Sequence, residues 1–136
     1  ADPGLPARQV EMAEAMAADF VVVAVPGSLA THHLIDAKAL GIMQKTGIFV
    51  NISRGDVVDE TALIDALQQG RIAGAGLDVY EFEPKVPVAL MAMENVTLLP
   101  HLGTACLEVR ENMGMMAVAN LIAWAEGKVP PNLVNP

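Results

Sequence analysis

Residues 48–79 read IFVNISRGDVVDETALIDALQQGRIAGAGLDV, and this stretch decides the fold. Ile48 to Ile52 is an apolar run of strand length. Asp59 is a good helix N-cap, and Glu60 favours the first turn that follows. Thr61 to Gln69 then carries Ala62, Leu63, Ala66 and Leu67 at helical spacing, with Gly70 placed to end the helix. Ile72 to Val79 is a second apolar strand, in which Gly74 and Gly76 allow a neighbouring element to approach closely. The same alternation extends outward on both sides. Upstream, Ala7 to Ala18 reads as a short helix with Val10, Met12, Ala13 and Met16 as apolar positions. Phe20 to Val25 is a continuous apolar strand, ended by Pro26 and Gly27. Ser28 to His33 is a loop, Ile35 to Met43 a short helix, and Thr46-Gly47 a turn. Downstream, a loop holds Pro84 and Pro87, and Val96 to Leu99 is a strand stopped by Pro100. The longest helix runs from about Ala105 to Glu126, closed by Gly127 and the tail KVPPNLVNP. Apolar strands alternating with helices predict an α/β fold with a parallel sheet covered on both faces. Crossovers are expected to be right-handed. Ligands of such open sheets sit at the carboxyl ends of the strands.

The 136 residues suffice for one domain with a real core. Hydrophobic residues make up 53%, and mean hydropathy is +0.41. The longest clear apolar run, Phe20 to Val25, is far short of the ~20 residues that span a bilayer. The excess apolarity is therefore read as buried parallel strands plus an interface that a partner covers. Net charge is −8, with no basic stripe to neutralise phosphates, so neither nucleic acid nor an acidic membrane surface is an expected partner. One cysteine, Cys106, excludes a disulfide within the chain and a multi-cysteine metal cluster. It fits a reducing cytoplasm, and Cys106 itself reads as a small buried residue. No pair of His or Cys has metal spacing, so no metal is expected. No charged-then-apolar leader opens these residues, so no signal peptide is expected. The opening ADPGLPAR lacks an initiator Met and looks like a cut-in loop.

Three charged residues fall at or just past apolar strands: Arg54, Glu83 and His101. Arg54 in NISRGDVVDE has a planar fork that binds a carboxylate bidentately and can polarise a carbonyl. Alone, an arginine in a turn reads as a surface residue. Its place at the end of an apolar strand is a reason to weigh a functional role beside that reading. His101 in LLPHLGTA can exchange a proton near neutral pH. Glu83 in DVYEFEP can orient such a histidine and stabilise its protonated form. Glu81, two residues earlier, reads as a solvated loop residue. An arginine, a carboxylate and a histidine at neighbouring strand ends can anchor a carboxylate substrate and move a proton beside it. His32 and His33 read as surface or cofactor-edge residues.

At NISRGDVVDETALIDAL, AGAGLDVYEFEP and NVTLLPHLGTA, the chain resembles the D-isomer-specific 2-hydroxyacid dehydrogenase family. The three motifs occur in order and at the right separations, and the similarity runs from about Val10 to the end. Within the family it looks closest to the glyoxylate and hydroxypyruvate reductases. The resemblance implies reduction of small 2-keto acids by NAD or NADP, with catalytic Arg54, Glu83 and His101. Formate dehydrogenases look similar but carry glutamine near Glu83, so the glutamate argues against formate. Cofactor contacts are implied at Val25, Pro26, Ile52, Ser53, Arg54, Asp78, His101, Gly103 and Thr104. Asp78 would accept a hydrogen bond from the nicotinamide carboxamide, although a strand-end aspartate bound to backbone is an equal expectation from the residues alone.

The resemblance also implies a Rossmann-type NAD(P)-binding domain, of which these residues match only the latter half. Residues 1–104 would be that latter part, and residues 105–136 a long helix and tail returning to a substrate domain built from upstream residues. The family's G-x-G-x-x-G turn does not occur here. The GAGLD of Gly74 to Asp78 has two such glycines, but it lies within a strand. A homo-oligomer, or association with the missing N-terminal half, is therefore expected, together with a 2-keto or 2-hydroxy acid ligand. Two other readings stay open: a nucleotide-sensing corepressor-like module, since such relatives keep the same three residues, and an inactive orphan half-domain. Met113, Met115, Met116 and Trp124 on the last helix would pack against the missing domain or a partner.

Overall fold

In the computed structural model, which describes residues 7–135, four short apolar runs form one parallel sheet. The strands are β1 (Phe20–Val23), β2 (Ile48–Asn51), β3 (Gly74–Leu77) and β4 (Val96–Leu98), in the spatial order β1-β2-β3-β4. Helices alternate with them: α1 (Met12–Met16), α2 (Ala37–Leu40), α3 (Glu60–Gln68) and α4 (Val88–Met91). The register sets Val21 beside Phe49 and Phe49 beside Ala75, and Val23 beside Asn51 and Asn51 beside Leu77. Residues 1–6, most of the stretch read as a cut-in loop, and Pro136 lie outside the described residues.

The alternating burial shows which face of the sheet the helices cover. Val21, Val23, Phe49, Asn51, Ala75 and Leu77 are buried, and their neighbours Phe20 and Val22 are 71% and 55% exposed. The expectation of a sheet covered on both faces thus fails at β1, where the strand buries alternate residues as a half-covered sheet does. α1 packs on α2, and α2 on α3, over the buried face. Phe49, Leu40, Leu63, Ile72 and Leu90 are almost wholly inaccessible. Burying one such side chain contributes about 1.5–3 kcal/mol.

α3 forms where its signals place it. The Asp59 side chain accepts the Ala62 N–H, and Gly70 leaves the helix at φ 60°. α1 and α2 are shorter than the apolar spacing predicts. α1 has no side-chain cap at Glu11, and α2, capped by Asp36, stops at Gly41. The glycine expectation holds at Gly74, where a Cβ would lie 2.5 Å from the Asn95 carbonyl oxygen. It does not hold at Gly76, where a Cβ would make ordinary contact, at 3.8 Å from Val50. Two elements were not expected: α4 within the proline-bearing loop, and a 3-10 turn at Gly55–Val57.

The chain divides after Pro100 into two compact units. The second holds α5 (Leu107–Ala125), which has no buried residue. Its tail is tied back by the Asn132 N–H, which donates to Asn120 Oδ1 at 2.9 Å. Cys106, expected to be buried, is exposed just before α5, and its thiol donates to Glu108 Oε2 at 2.7 Å. Met113, Met115, Met116 and Trp124 are also exposed. Among the described residues no helix is long and apolar enough to cross a membrane, and no group of His, Cys, Asp and Glu is placed to hold a metal ion.

Candidate active site

The carboxyl ends of β1, β2 and β3 lead into three loops, and the arginine sits on the second. Asn51, the last residue of β2, is 1% exposed, and its side chain builds the turn that carries Arg54. Its amide nitrogen donates to the Arg54 carbonyl at 3.0 Å. Its amide oxygen accepts both the Ser53 N–H and the Ser53 hydroxyl, each at 3.0 Å. Its main-chain carbonyl accepts the Asp78 N–H at 3.0 Å, joining this turn to the start of the third loop. Buried polar groups of this kind must be satisfied, and here every one of them is spent on fixing the backbone around Arg54. The sequence reading missed Asn51. Its signal was a lone amide at an inward position of an otherwise apolar strand.

Arg54 is exposed, and its Nη1 donates to the Ser53 carbonyl at 2.7 Å. The loop after β1 makes room for it. A Cβ on Gly27 would lie 2.8 Å from Arg54 Cγ. That loop is held by Thr31, whose hydroxyl donates to the Pro26 carbonyl at 2.8 Å. The loop after β3 comes still closer, because Gly55 lies directly against the Tyr80 carbonyl. Glu83 Oε1 accepts the Tyr80 N–H at 3.0 Å, so the carboxylate folds back on its own loop. Arg54 and Glu83 line one cleft of about 280 Å3, together with Gly55, Asp56, Tyr80 and Glu81.

The remaining expected residues distribute as follows. Asp78 is buried at the end of β3, Ser53 is buried beside Asn51, and Ile52 is 56% exposed between them in sequence. Val25 is half-buried and Pro26 exposed after β1. His101, Gly103 and Thr104 belong to the second unit. His101 has φ 56°, the left-handed region that a residue with a Cβ enters uncommonly. Such backbone conformations concentrate at functional sites.

Glu81 departs from expectation. It is not a solvated loop residue: its side chain is 12% exposed and bonds His33 Nε2 at 2.9 Å. Glu60, which is buried, exchanges backbone hydrogen bonds with it. The Glu60 N–H donates to Glu81 Oε2, and the Glu81 N–H to Glu60 Oε2, each at 3.3 Å. Burial pushes the Glu60 carboxyl above its ordinary 4.5; the backbone bond opposes this, and the Glu81 charge adds to it. An acid whose folded pKa is raised contributes most to stability at low pH, and loses that contribution as the pH climbs through the folded value. Glu60→Gln keeps an acceptor for the Glu81 N–H and removes the charge. It is therefore expected to raise the melting temperature at neutral pH, and the gain should vanish below about pH 4, where Glu60 is itself protonated. Thermal melts of both proteins across pH 3–8 check this. A gain that persists at the acid end would assign it to another cause.

Residues 4–103 match the family described as D-isomer specific 2-hydroxyacid dehydrogenase, NAD binding domain. The chain is similar to the glyoxylate reductase of Pyrococcus horikoshii, 51% identical over 117 residues that cover 86% of this chain and 35% of that protein. It is similar also to glyoxylate/hydroxypyruvate reductase B of Escherichia fergusonii, 52% identical over 120 residues, with 88% and 37% covered. Among solved structures it resembles the NADPH-dependent glyoxylate/hydroxypyruvate reductase of Sinorhizobium meliloti in complex with NADP and malonate. There the TM-score is 0.86 and the identity 43%, over 91% of this chain and 40% of that one. The chain thus spans little more than a third of the length of the curated relatives it matches.

Proposed function

Since the chain belongs to the D-isomer specific 2-hydroxyacid dehydrogenase family, as its NAD-binding domain, we propose that it is the cofactor-binding and proton-donating part of an NAD(P)-dependent reductase of small 2-keto acids, glyoxylate and hydroxypyruvate being the preferred substrates. The observation that carries this reading is the cleft at the strand ends, where Arg54 and Glu83 stand on adjoining loops fixed by Asn51 and by the Gly55–Tyr80 contact.

The residues present suit one end of a nicotinamide dinucleotide. Asp78, buried where β3 ends, is an acceptor for the carboxamide, and the exposed Ile52 is an apolar seat for a flat ring. Val25 and Pro26 would flank the adenosine side, and Ser53, Gly103 and Thr104 would line the approach. When bound, the cofactor supplies the hydride that reduces the keto carbon. The rest falls to the protein. Arg54 holds the substrate carboxylate and polarises the carbonyl. His101 gives its proton to the developing alkoxide, so that a keto acid, a hydride and a proton become a 2-hydroxy acid. Glu83 is the carboxylate that the family resemblance assigns to orient that imidazole in the full-length protein. The pyrophosphate would be held by a glycine-rich turn and helix N-terminus outside these residues. The exposed Phe20 and Val22 of β1 would then be covered by the upstream half of the sheet or by a second copy. One exposed thiol suits a reducing compartment, and we place the protein in the cytoplasm.

Calorimetry and a spectrophotometric assay test the reading together. The 136 residues alone are expected to bind NADH or NADPH more weakly than micromolar and to show no turnover. The full-length protein should oxidise NAD(P)H when glyoxylate is added. Micromolar binding by the isolated residues would remove the upstream phosphate site. A full-length protein that binds NAD(P)H and leaves glyoxylate and hydroxypyruvate untouched would remove the reductase.

A further inference from the structure

His33 and Glu81, on the loops after β1 and β3, and Glu60, the first residue of α3, form a cluster that the reaction above does not use. We infer that they are positioning residues: a clasp that holds the Arg54 turn and the Glu83 loop in one arrangement, and so sets how tightly a 2-keto acid is held. The inference rests on the roles proposed above for Arg54 and Glu83.

Glu81 is the hub, and each of its carboxylate oxygens binds a different element. Oε1 meets His33 Nε2, from the loop after β1, at 2.9 Å. Oε2 accepts the N–H of Glu60, the first residue of α3, and Glu60 answers with its own carboxylate on the Glu81 N–H. His33 is itself tied to the second loop, since its N–H donates to the Asp56 carbonyl at 2.8 Å. The next residues continue that attachment as a short parallel bridge between Ile35 and Val58. Tyr80, adjacent to Glu81, closes the circuit: its N–H binds Glu83, and its carbonyl lies against Gly55, next to Arg54. Moving Glu81 therefore moves both functional side chains.

The cost of the arrangement supports a role beyond stability. It brings two carboxylates together in a largely buried place, and Glu60 gives up solvation to stand there. Burying such a group is unfavourable unless partners satisfy it, and an apolar pair of similar volume would hold two loops at least as well. His33 carries a second sign. Its φ is 49°, and its ring stacks on His32 with centroids 4.0 Å apart. The backbone is held in an uncommon conformation so that the ring reaches Glu81.

The test uses His33→Ala, His33→Gln and Glu81→Gln in the full-length protein, with Arg54→Ala as reference. Alanine and glutamine bear the same backbone conformation at position 33, so their difference isolates the side-chain hydrogen bond. His33→Ala should raise KM for glyoxylate about tenfold or more and leave KM for the cofactor within twofold, and His33→Gln should recover most of the loss. Glu81→Gln, which lacks one acceptor, should fall between. Amide hydrogen exchange gives a readout independent of turnover: protection over residues 54–60 and 78–83 should fall together in His33→Ala. Unchanged KM and exchange in both position-33 variants, or a lower melting temperature alone, would overturn the clasp while Arg54→Ala remains impaired. Full activity of Arg54→Ala would instead overturn the function proposed for the cleft.

Discussion

His101→Ala is expected to lower turnover of glyoxylate by about 10²–10⁴-fold in the full-length protein, the range for loss of a positioned general acid. The alkoxide formed on reduction needs a proton as the hydride arrives, and water is a poor and unplaced donor. KM should change much less, because the substrate carboxylate is assigned to Arg54. The backbone at His101 sharpens the expectation. With φ 56°, it holds its side chain in a conformation that few residues adopt at no cost, and His and Asn are among those that tolerate it best. His101→Asn should therefore keep the fold and lose the rate. Steady-state kinetics at saturating cofactor measure both variants. A loss of less than tenfold in His101→Ala would transfer the proton to another group.

Gly55→Ala should have the largest effect on stability. A Cβ at this position would lie 1.9 Å from both the carbonyl carbon and the oxygen of Tyr80, and 2.4 Å from the Glu81 nitrogen. These are backbone atoms that cannot rotate away. Retreat is blocked on both sides. The Gly55 carbonyl accepts the Val58 N–H, and the buried Tyr80 hydroxyl donates to the Leu99 carbonyl at 2.8 Å. Overpacking commonly costs 1–3 kcal/mol, and a clash between two fixed backbones should reach about 3 kcal/mol or more. For a unit of this size that lowers the melting temperature by on the order of 10–20 °C. Thermal unfolding followed by circular dichroism measures it. A drop under about 4 °C would mean that the two loops separate easily, and would weaken the clasp as well.

What could be read in the sequence was local. β1 to β4 and α3 follow from apolar runs, an N-cap at Asp59 and a stop at Gly70, all signals within a few residues of the element they define. Membership of the family was legible for a different reason: three motifs recur in order at set separations. The covered and open faces of the sheet were not legible. A continuous apolar run such as Phe20 to Val23 looks the same whether one face or two are packed. Nor was the clasp. His33 and Glu81 lie 48 residues apart, and nothing near either one marks the other as its partner. Nor was the need for glycine at position 55, since that demand comes from the carbonyl of Tyr80, which belongs to another strand's loop. Asn51 was hidden by its neighbours, because a single amide in an apolar strand carries no periodic signature. α4 formed in a segment whose prolines point to a loop, and it does so with Pro87 just outside its first turn, where proline is tolerated.

The placing of Tyr80 and Trp124 has a spectroscopic consequence. The chain contains one tyrosine and one tryptophan, and they fall on opposite sides of the division after Pro100. Trp124 is 73% exposed on α5, so its emission belongs to the second unit and should sit near that of indole in water. Tyr80 is buried beneath the cleft. Its phenol is pushed above the ordinary 10.0 chiefly by that burial, with the acidic neighbours Asp78, Glu83 and Glu60 adding to it. Phenolate absorbance at alkaline pH thus reports on the sheet and its loops, and a blue shift of tryptophan emission reports the covering of α5 by a partner. One cuvette can follow the two units separately, with no label attached.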